Sequence, residues 1–403
     1  MAGLMEHDKS KNGLALAVVT TVFFMWGFVT VLNDILVPHL KALFELNYTQ
    51  TMLIQFTFFS AYFLMSTPSS RVLARVGYQR SIVIGLVVMG LGALGFVPAS
   101  AARSYAIFLG ALWVLASGIT LLQVAANPYV AQLGPPAKGS SRLNLAQAFN
   151  SLGTTIAPYL GGMLILSETS GRADAGAVQG PYVAIAITLF LLAFGVSRFH
   201  LPALPDIEEG HGVLAGDSIW KHRHLVLGAV AIFVYVGAEV SIGSFLVNYF
   251  SQPDIGGLTE RAAAGFVSFY WGGAMAGRFI GSALLRTAAP GKLLGCAALA
   301  ACALVLTTVA TTGATAMWSV IAVGLFNSVM FPTIFTLGIA RLGPLTGKGS
   351  SLLIMAIVGG AILPVLQGAL ADSIGIHTAF LMPAVCYLYI VYYGWRGSRA
   401  SEA

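Results

Sequence analysis

The sequence predicts an all-α membrane protein with twelve transmembrane helices in two six-helix halves, and three observations carry that prediction. Of its 403 residues 57% are hydrophobic and only 9% are charged, against roughly 25% charged in a soluble domain. The apolar residues fall into runs of about 20, the length a helix needs to cross a hydrocarbon core of about 30 Å. The two halves of the chain also echo each other in order. Helices are the expected spanning form because hydrocarbon offers an open backbone no partner, and the roughly ten-residue alternation of barrel strands is missing.

Taken in order, a polar tail precedes span one at 13–40. Its apolar run is longer than a signal peptide's core and has no convincing small-residue cleavage site, so it is expected to be retained. Spans two and three, at 49–71 and 80–101, flank the basic stretch SRVLARVGYQR. Spans four and five, at 104–132 and 142–167, flank LGPPAKGSS, and span six follows at 180–201. The longest polar connection comes next and carries Asp206, Glu208, Glu209 and Asp217. Six further spans follow at 222–250, 261–286, 291–312, 314–340, 348–372 and 375–396. The expected organisation is therefore an amino-terminal bundle at 1–201, a cytoplasmic linker at 202–223 and a carboxy-terminal bundle at 224–403.

Charge fixes the expected orientation. With the amino terminus inside, only Lys41, Arg103, Arg172 and Arg261 of the 21 Lys and Arg fall outside. This positive-inside bias puts both termini in the cytoplasm. The net charge of +6 is thereby explained by topology, and nucleic acid is not an expected partner. Cys296, Cys302 and Cys386 lie in apolar segments without metal-like spacing and read as small core hydrophobes.

The internal echo is specific. LGPPAKGSS at 133–141 resembles LGPLTGKGSS at 342–351, and both 158–164 and 364–370 read P-x-L-x-G-x-L or nearly so. Span four thus matches span ten, and span five matches span eleven. Parallel six-helix repeats are the signature of the major facilitator architecture, which holds substrate between its halves near the midplane.

Two carboxylates fall inside spans: Asp34 in span one and Glu239 in span seven. A charge at the bilayer centre costs about 2.5–3.5 kcal/mol on insertion scales, so such groups face a cavity or a partner. Either carboxyl could carry a coupling proton or help hold a cation, the alternative being a structural hydrogen bond to a neighbouring helix. Asp372 reads as an interfacial charge. Arg71, Arg75, Arg278 and Arg286 sit where snorkelling explains them.

Buried amides are unusually abundant: Asn33, Gln55, Gln123, Asn127, Gln147, Asn150, Asn248, Asn327 and Gln367. Gln123 and Asn127 share one helix face, as do Gln147 and Asn150. Each amide both donates and accepts, which suits sugar hydroxyls that do the same. Amides also tie membrane helices together, at about 0.6 kcal/mol each. Aromatic rings supply a surface for the apolar face of a hexose, and Phe24, Trp26, Tyr62 and Tyr235 are the preferred candidates, with Phe58, Phe149, Tyr270 and Trp271 behind them. The seven histidines lie in tails, loops or span ends. No catalytic constellation, metal site or cofactor is therefore expected.

The motifs NDIL at 33–36, ANPYV at 126–130, RLNLAQAFNSLG at 142–153, VGAEVSIGSFLVNYF at 236–250 and FPTIF at 331–335, with the segment 348–372, resemble the fucose permease family of the major facilitator superfamily. The resemblance runs along nearly the whole chain. It implies a sugar:proton symporter, with Asp34 at the position of the family's essential span-one aspartate and Asn150 at that of a sugar-binding asparagine. Gln123 stands where fucose permease has a glutamate, and Glu239 where it has a glutamine. Both departures resemble the glucose/galactose transporter branch. They move the expected substrate from L-fucose toward a D-hexose such as glucose or galactose, with N-acetylglucosamine and fructose as alternatives.

The expectation is alternating-access import of a hexose against Asn33, Gln123, Asn127, Gln147, Asn150, Asn248 and Asn327. Asp34 and Glu239 would couple it to H⁺, with Na⁺ as the alternative. A facilitative uniporter and a drug exporter are the rivals within the same fold. The expected setting is a monomer in the lipid bilayer of a bacterial inner membrane.

Overall fold

The computed structural model describes residues 12–31, 44–45, 48–165, 179–202, 204 and 218–400. Asn33 and Asp34 lie outside the described residues. All regular structure among those residues is helical. Among the described residues nine helices are long and apolar enough to cross a membrane. They amount to twelve spans, because Leu53–Ala101 holds one span on either side of Gly77, and the more polar Gly139–Ile165 and Glu260–Leu284 also have spanning length.

The helices are α1 (Asn12–Val31), α2 (Tyr48–Ala101), α3 (Tyr105–Gln132), α4 (Gly139–Ile165) and α5 (Gln179–Arg198), then α6 (Arg223–Phe250), α7 (Glu260–Leu284) and α8 (Pro290–Ala310). They continue as α9 (Gly313–Asn327), α10 (Met330–Gly338), α11 (Thr346–Met355), α12 (Gly359–Ile374), α13 (Ile376–Ala379) and α14 (Leu381–Tyr392), which closes in a π turn at Tyr393–Gly397. Two compact units result. One is drawn from Met1–Gly134 and Phe149–Gly212, the other from Pro135–Ala148 and Val213–Ala403.

In the first unit α2 packs on α3 and α5. The expected connection between spans two and three is not a loop. α2 runs through it with a single non-helical residue, Gly77, at φ 79° and ψ 177°, a conformation essentially confined to glycine. α3 starts at Ser104, whose hydroxyl accepts the Ile107 N–H at 3.4 Å. From Ala111 to Ala131 it is buried almost all round. Small residues let α2 and α3 touch backbone to backbone: a Cβ at Gly118 would lie 2.5 Å from the Met89 nitrogen and 2.7 Å from the Gly85 carbonyl oxygen, and one at Gly92 would strike the Leu115 nitrogen. In hydrocarbon, where apolar burial gives helices no net drive to associate, such close packing supplies the attraction.

In the second unit α6 packs on α10, α12 and α14, while α9 packs on α7 and α8. Gly359 lies against the Phe233 carbonyl, Leu363 against Gly237 and Gly368 against Phe245, so α6 and α12 run side by side in the same direction. Spans ten and eleven, continuous in the sequence reading, are each interrupted. Pro332 has no N–H for the Ser328 carbonyl, and the break between α9 and α10 falls at Ser328 and Val329. Pro364 likewise leaves the Gly360 carbonyl without its helical donor, just beyond the 3-10 turn Ala356–Val358.

The repeated loop motif is matched in backbone. Leu133-Gly134 and Leu342-Gly343 both carry a positive-φ glycine, at 105° and 48°. Each leads through a 3-10 turn, Pro136–Lys138 or Gly343–Leu345, directly into a helix. Of the three cysteines Cys302 and Cys386 are buried, with the Cys302 thiol 3.6 Å from the Ala384 carbonyl, while Cys296 is exposed.

Candidate functional site

Each unit carries its own buried polar cluster. In the first, Gln123 sits mid-way along α3 at 3% exposure and donates from Nε2 to the Tyr62 hydroxyl of α2 at 2.8 Å. Trp26 of α1 approaches the same hydroxyl. Three helices thus converge on one phenol, and Phe58 and Phe23 pack their rings 5.4 and 5.1 Å from Tyr62 and Trp26. Asn150 of α4 donates from Nδ2 to the Phe23 carbonyl at 2.9 Å, next to the near-contact of Gly27 with Asn150 and of Gly153 with the Phe24 carbonyl. The Phe24 ring is partly buried and stacks on Phe28.

Asn127, one turn beyond Gln123, differs from all of these. It is fully buried, and neither Nδ2 nor Oδ1 has a hydrogen-bond partner among the described residues. Leaving a buried donor or acceptor unsatisfied costs about 1–3 kcal/mol. A side chain kept at that cost has hydrogen bonds to offer something else.

The second cluster is centred on Asn327 at the end of α9. Its Nδ2 donates to the Tyr270 hydroxyl at 2.8 Å, its Oδ1 accepts from Tyr387 at 2.7 Å and its backbone carbonyl accepts from Tyr235 at 3.0 Å. Asn327 is therefore a knot joining α6, α7, α9 and α14. Glu239, one turn from Tyr235, interacts electrostatically with Arg278 and Tyr235. Its Oε1 is buried with no hydrogen-bond partner among the described residues. Arg278 of α7 also reaches the Gln147 carbonyl at 3.5 Å, and the Gln147 Nε2 is buried and unpartnered among the described residues. Asn248 stands apart, exposed near the far end of α6, where its carbonyl accepts from Gln252.

Several participants escaped the sequence reading. Arg278 was assigned to a helix end, yet it lies six residues before the last residue of α7, about 9 Å inward at 1.5 Å per residue. Its distance from Arg286 was a usable signal. Asn144 is fully buried, with Nδ2 donating to the Ser140 carbonyl at 3.0 Å and to the Thr333 hydroxyl at 3.4 Å while Oδ1 is unpartnered among the described residues. Tyr387 sits in an apolar span that gives no such hint. Ser241 on α6, which the sequence did not single out, and Gln367 on α12, which it did, are both fully buried with unpartnered polar atoms among the described residues. The register of the two helices sets them at the same level. Among the described residues no group of three His, Cys, Asp or Glu is placed to hold a metal ion.

The family model for the Major Facilitator Superfamily matches residues 14–357. A glucose/galactose transporter of Brucella abortus is 56% identical over 402 residues, covering 98% of this chain and 97% of that protein. A putative glucose/galactose transporter of Helicobacter pylori is 44% identical over 410 residues, covering 98% and 99%. Among solved structures, the Escherichia coli fucose:proton symporter superposes with a TM-score of 0.89 at 33% identity, covering 96% of this chain and all of that one.

Proposed function

Because the chain belongs to the Major Facilitator Superfamily, we propose that it is a cation-coupled hexose importer working by alternating access. It is a membrane transporter and not an enzyme, as its relatives are. The substrate is a D-hexose, glucose or galactose, and the coupling ion is H⁺. The relatives named as glucose/galactose transporters support the sugar, and the fucose:proton symporter supports the ion.

Asn127 is the structural observation that carries the reading. Its two unsatisfied amide atoms offer one donor and one acceptor, the pair that a sugar hydroxyl requires. Trp26, Tyr62, Gln123, Phe24 and Asn150 extend that surface, and Asn33, Gln147 and Tyr235 complete the proposed binding set, from which exposed Asn248 and Asn327, whose amide is spent on Tyr270 and Tyr387, are left out. Gln123 is neutral, so its task is recognition. Asp34 and Glu239 carry the coupling. Protonating Glu239 removes a negative charge beside Arg278 and Tyr235, so proton loading alters the hydrogen bonding of the whole second cluster.

The six-helix halves are assigned to 1–201 and 224–403 with the linker at 202–223. The chain is placed in a bacterial inner membrane with both termini cytoplasmic. Uptake of labelled glucose, galactose and L-fucose into proteoliposomes under imposed gradients tests the function. Glucose or galactose should accumulate under an inward proton gradient and stop doing so with a protonophore. Accumulation that needs Na⁺ and survives the protonophore would replace H⁺ by Na⁺, and accumulation of none of the sugars would remove the function itself.

A further inference from the structure

Beside the Gly77 kink, outside both clusters, the first unit holds a cavity of about 670 Å³. Its walls come from α2, the last turn of α3, and the end of α5 with the chain that follows. Two hydrogen-bonding arrangements hold it open. Gln79 donates to the carbonyls of Val196 and Phe199 at 2.9 and 2.6 Å and accepts the Leu201 N–H at 3.4 Å. The Tyr129 hydroxyl donates to the Pro202 carbonyl at 3.1 Å.

Arg80 and His200 both line this cavity, and neither has a hydrogen bond, ion pair or ring contact among the described residues. Among the described residues that line it there is no Asp or Glu. Val83 and Ile84 continue the wall along α2, and Ile84 is 37% exposed. Two helices end here and a third kinks, so the cavity lies where the bilayer meets water. It therefore combines an uncommitted guanidinium and an uncommitted imidazole with an apolar wall leading along a spanning helix.

We propose that this cavity binds the phosphodiester headgroup of an acidic phospholipid, with Arg80 and His200 on the phosphate and an acyl chain along Val83 and Ile84. Basic pockets between spanning helices at the membrane surface suit such headgroups. A free phosphate ester would satisfy the same two side chains but would leave the apolar wall unused.

The test uses the full-length protein in detergent. Native mass spectrometry is run with added phosphatidylglycerol, phosphatidylcholine or glycerophosphate, on the wild type and on the Arg80→Gln/His200→Gln double variant. Arg80 should favour phosphatidylglycerol over phosphatidylcholine by roughly fivefold, with His200 adding a hydrogen bond to the phosphate, and the double variant should lose that preference. Equal binding of the two lipids by the wild type would overturn the proposal without reference to any variant. Preference retained in a folded double variant would overturn it too, and glycerophosphate competing as well as phosphatidylglycerol would reassign the site to a soluble phosphate ester. Sugar uptake is not a readout, so the result stands apart from the transport assignment.

Discussion

Asn127 and Asn327 are both fully buried asparagines, and they differ in what they have left to offer. Asn327 has spent both amide atoms on Tyr270 and Tyr387. Asn327→Ala should strand two phenols and lower stability by about 1–3 kcal/mol, read as a drop in the thermal unfolding midpoint in detergent. Asn127→Ala removes a group that is already unsatisfied. It should leave the midpoint unchanged or raised while the KM for sugar rises about tenfold, equivalent to about 1.4 kcal/mol of lost binding. Should Asn127→Ala unfold the protein and leave KM alone, the amide is structural. Glu239→Gln keeps the shape and removes the titrating charge, so it should abolish accumulation driven by a proton gradient while sparing sugar exchange at equilibrium. Exchange and accumulation lost together would mean that Glu239 serves binding or folding.

At the scale of elements, the contact between α2 and α3 is set by absent side chains. Gly118→Val would push carbon into the Met89 and Gly85 backbones. Overpacking of that kind costs about 1–3 kcal/mol, and the variant should show a matching loss of folded protein by fluorescence-detected size exclusion. A conservative surface change such as Leu191→Ile, on a residue 65% exposed, should show none. The spans themselves were legible because hydrocarbon thickness dictates the length of an apolar run. The joint at Gly77 was not, since a basic stretch between two apolar runs reads as a loop whether or not a helix continues through it. The break before Pro332 was written in the proline, but proline is common in membrane helices and many carry it without breaking. Buried amides stood out in sequence because polarity is rare there. Which of them already had partners could be seen only once side chains from other helices were in place.

For the whole molecule, coupling is a property that no single side chain possesses. The two carboxylates proposed for it fall one in each half of the sequence, Asp34 and Glu239. If each is needed, Asp34→Asn and Glu239→Gln should separately reduce concentrative uptake to the equilibrium level, and the double variant should do no worse than either. A double variant clearly worse than both singles would point to two independent proton routes. The distribution of thiols gives such experiments a practical footing. With Cys302 and Cys386 enclosed and Cys296 open on α8, a membrane-permeant maleimide should modify the unaltered chain at one position, with a stoichiometry of one dye per polypeptide. A fluorescent reporter could then follow the native transporter, with no need to strip its other cysteines first.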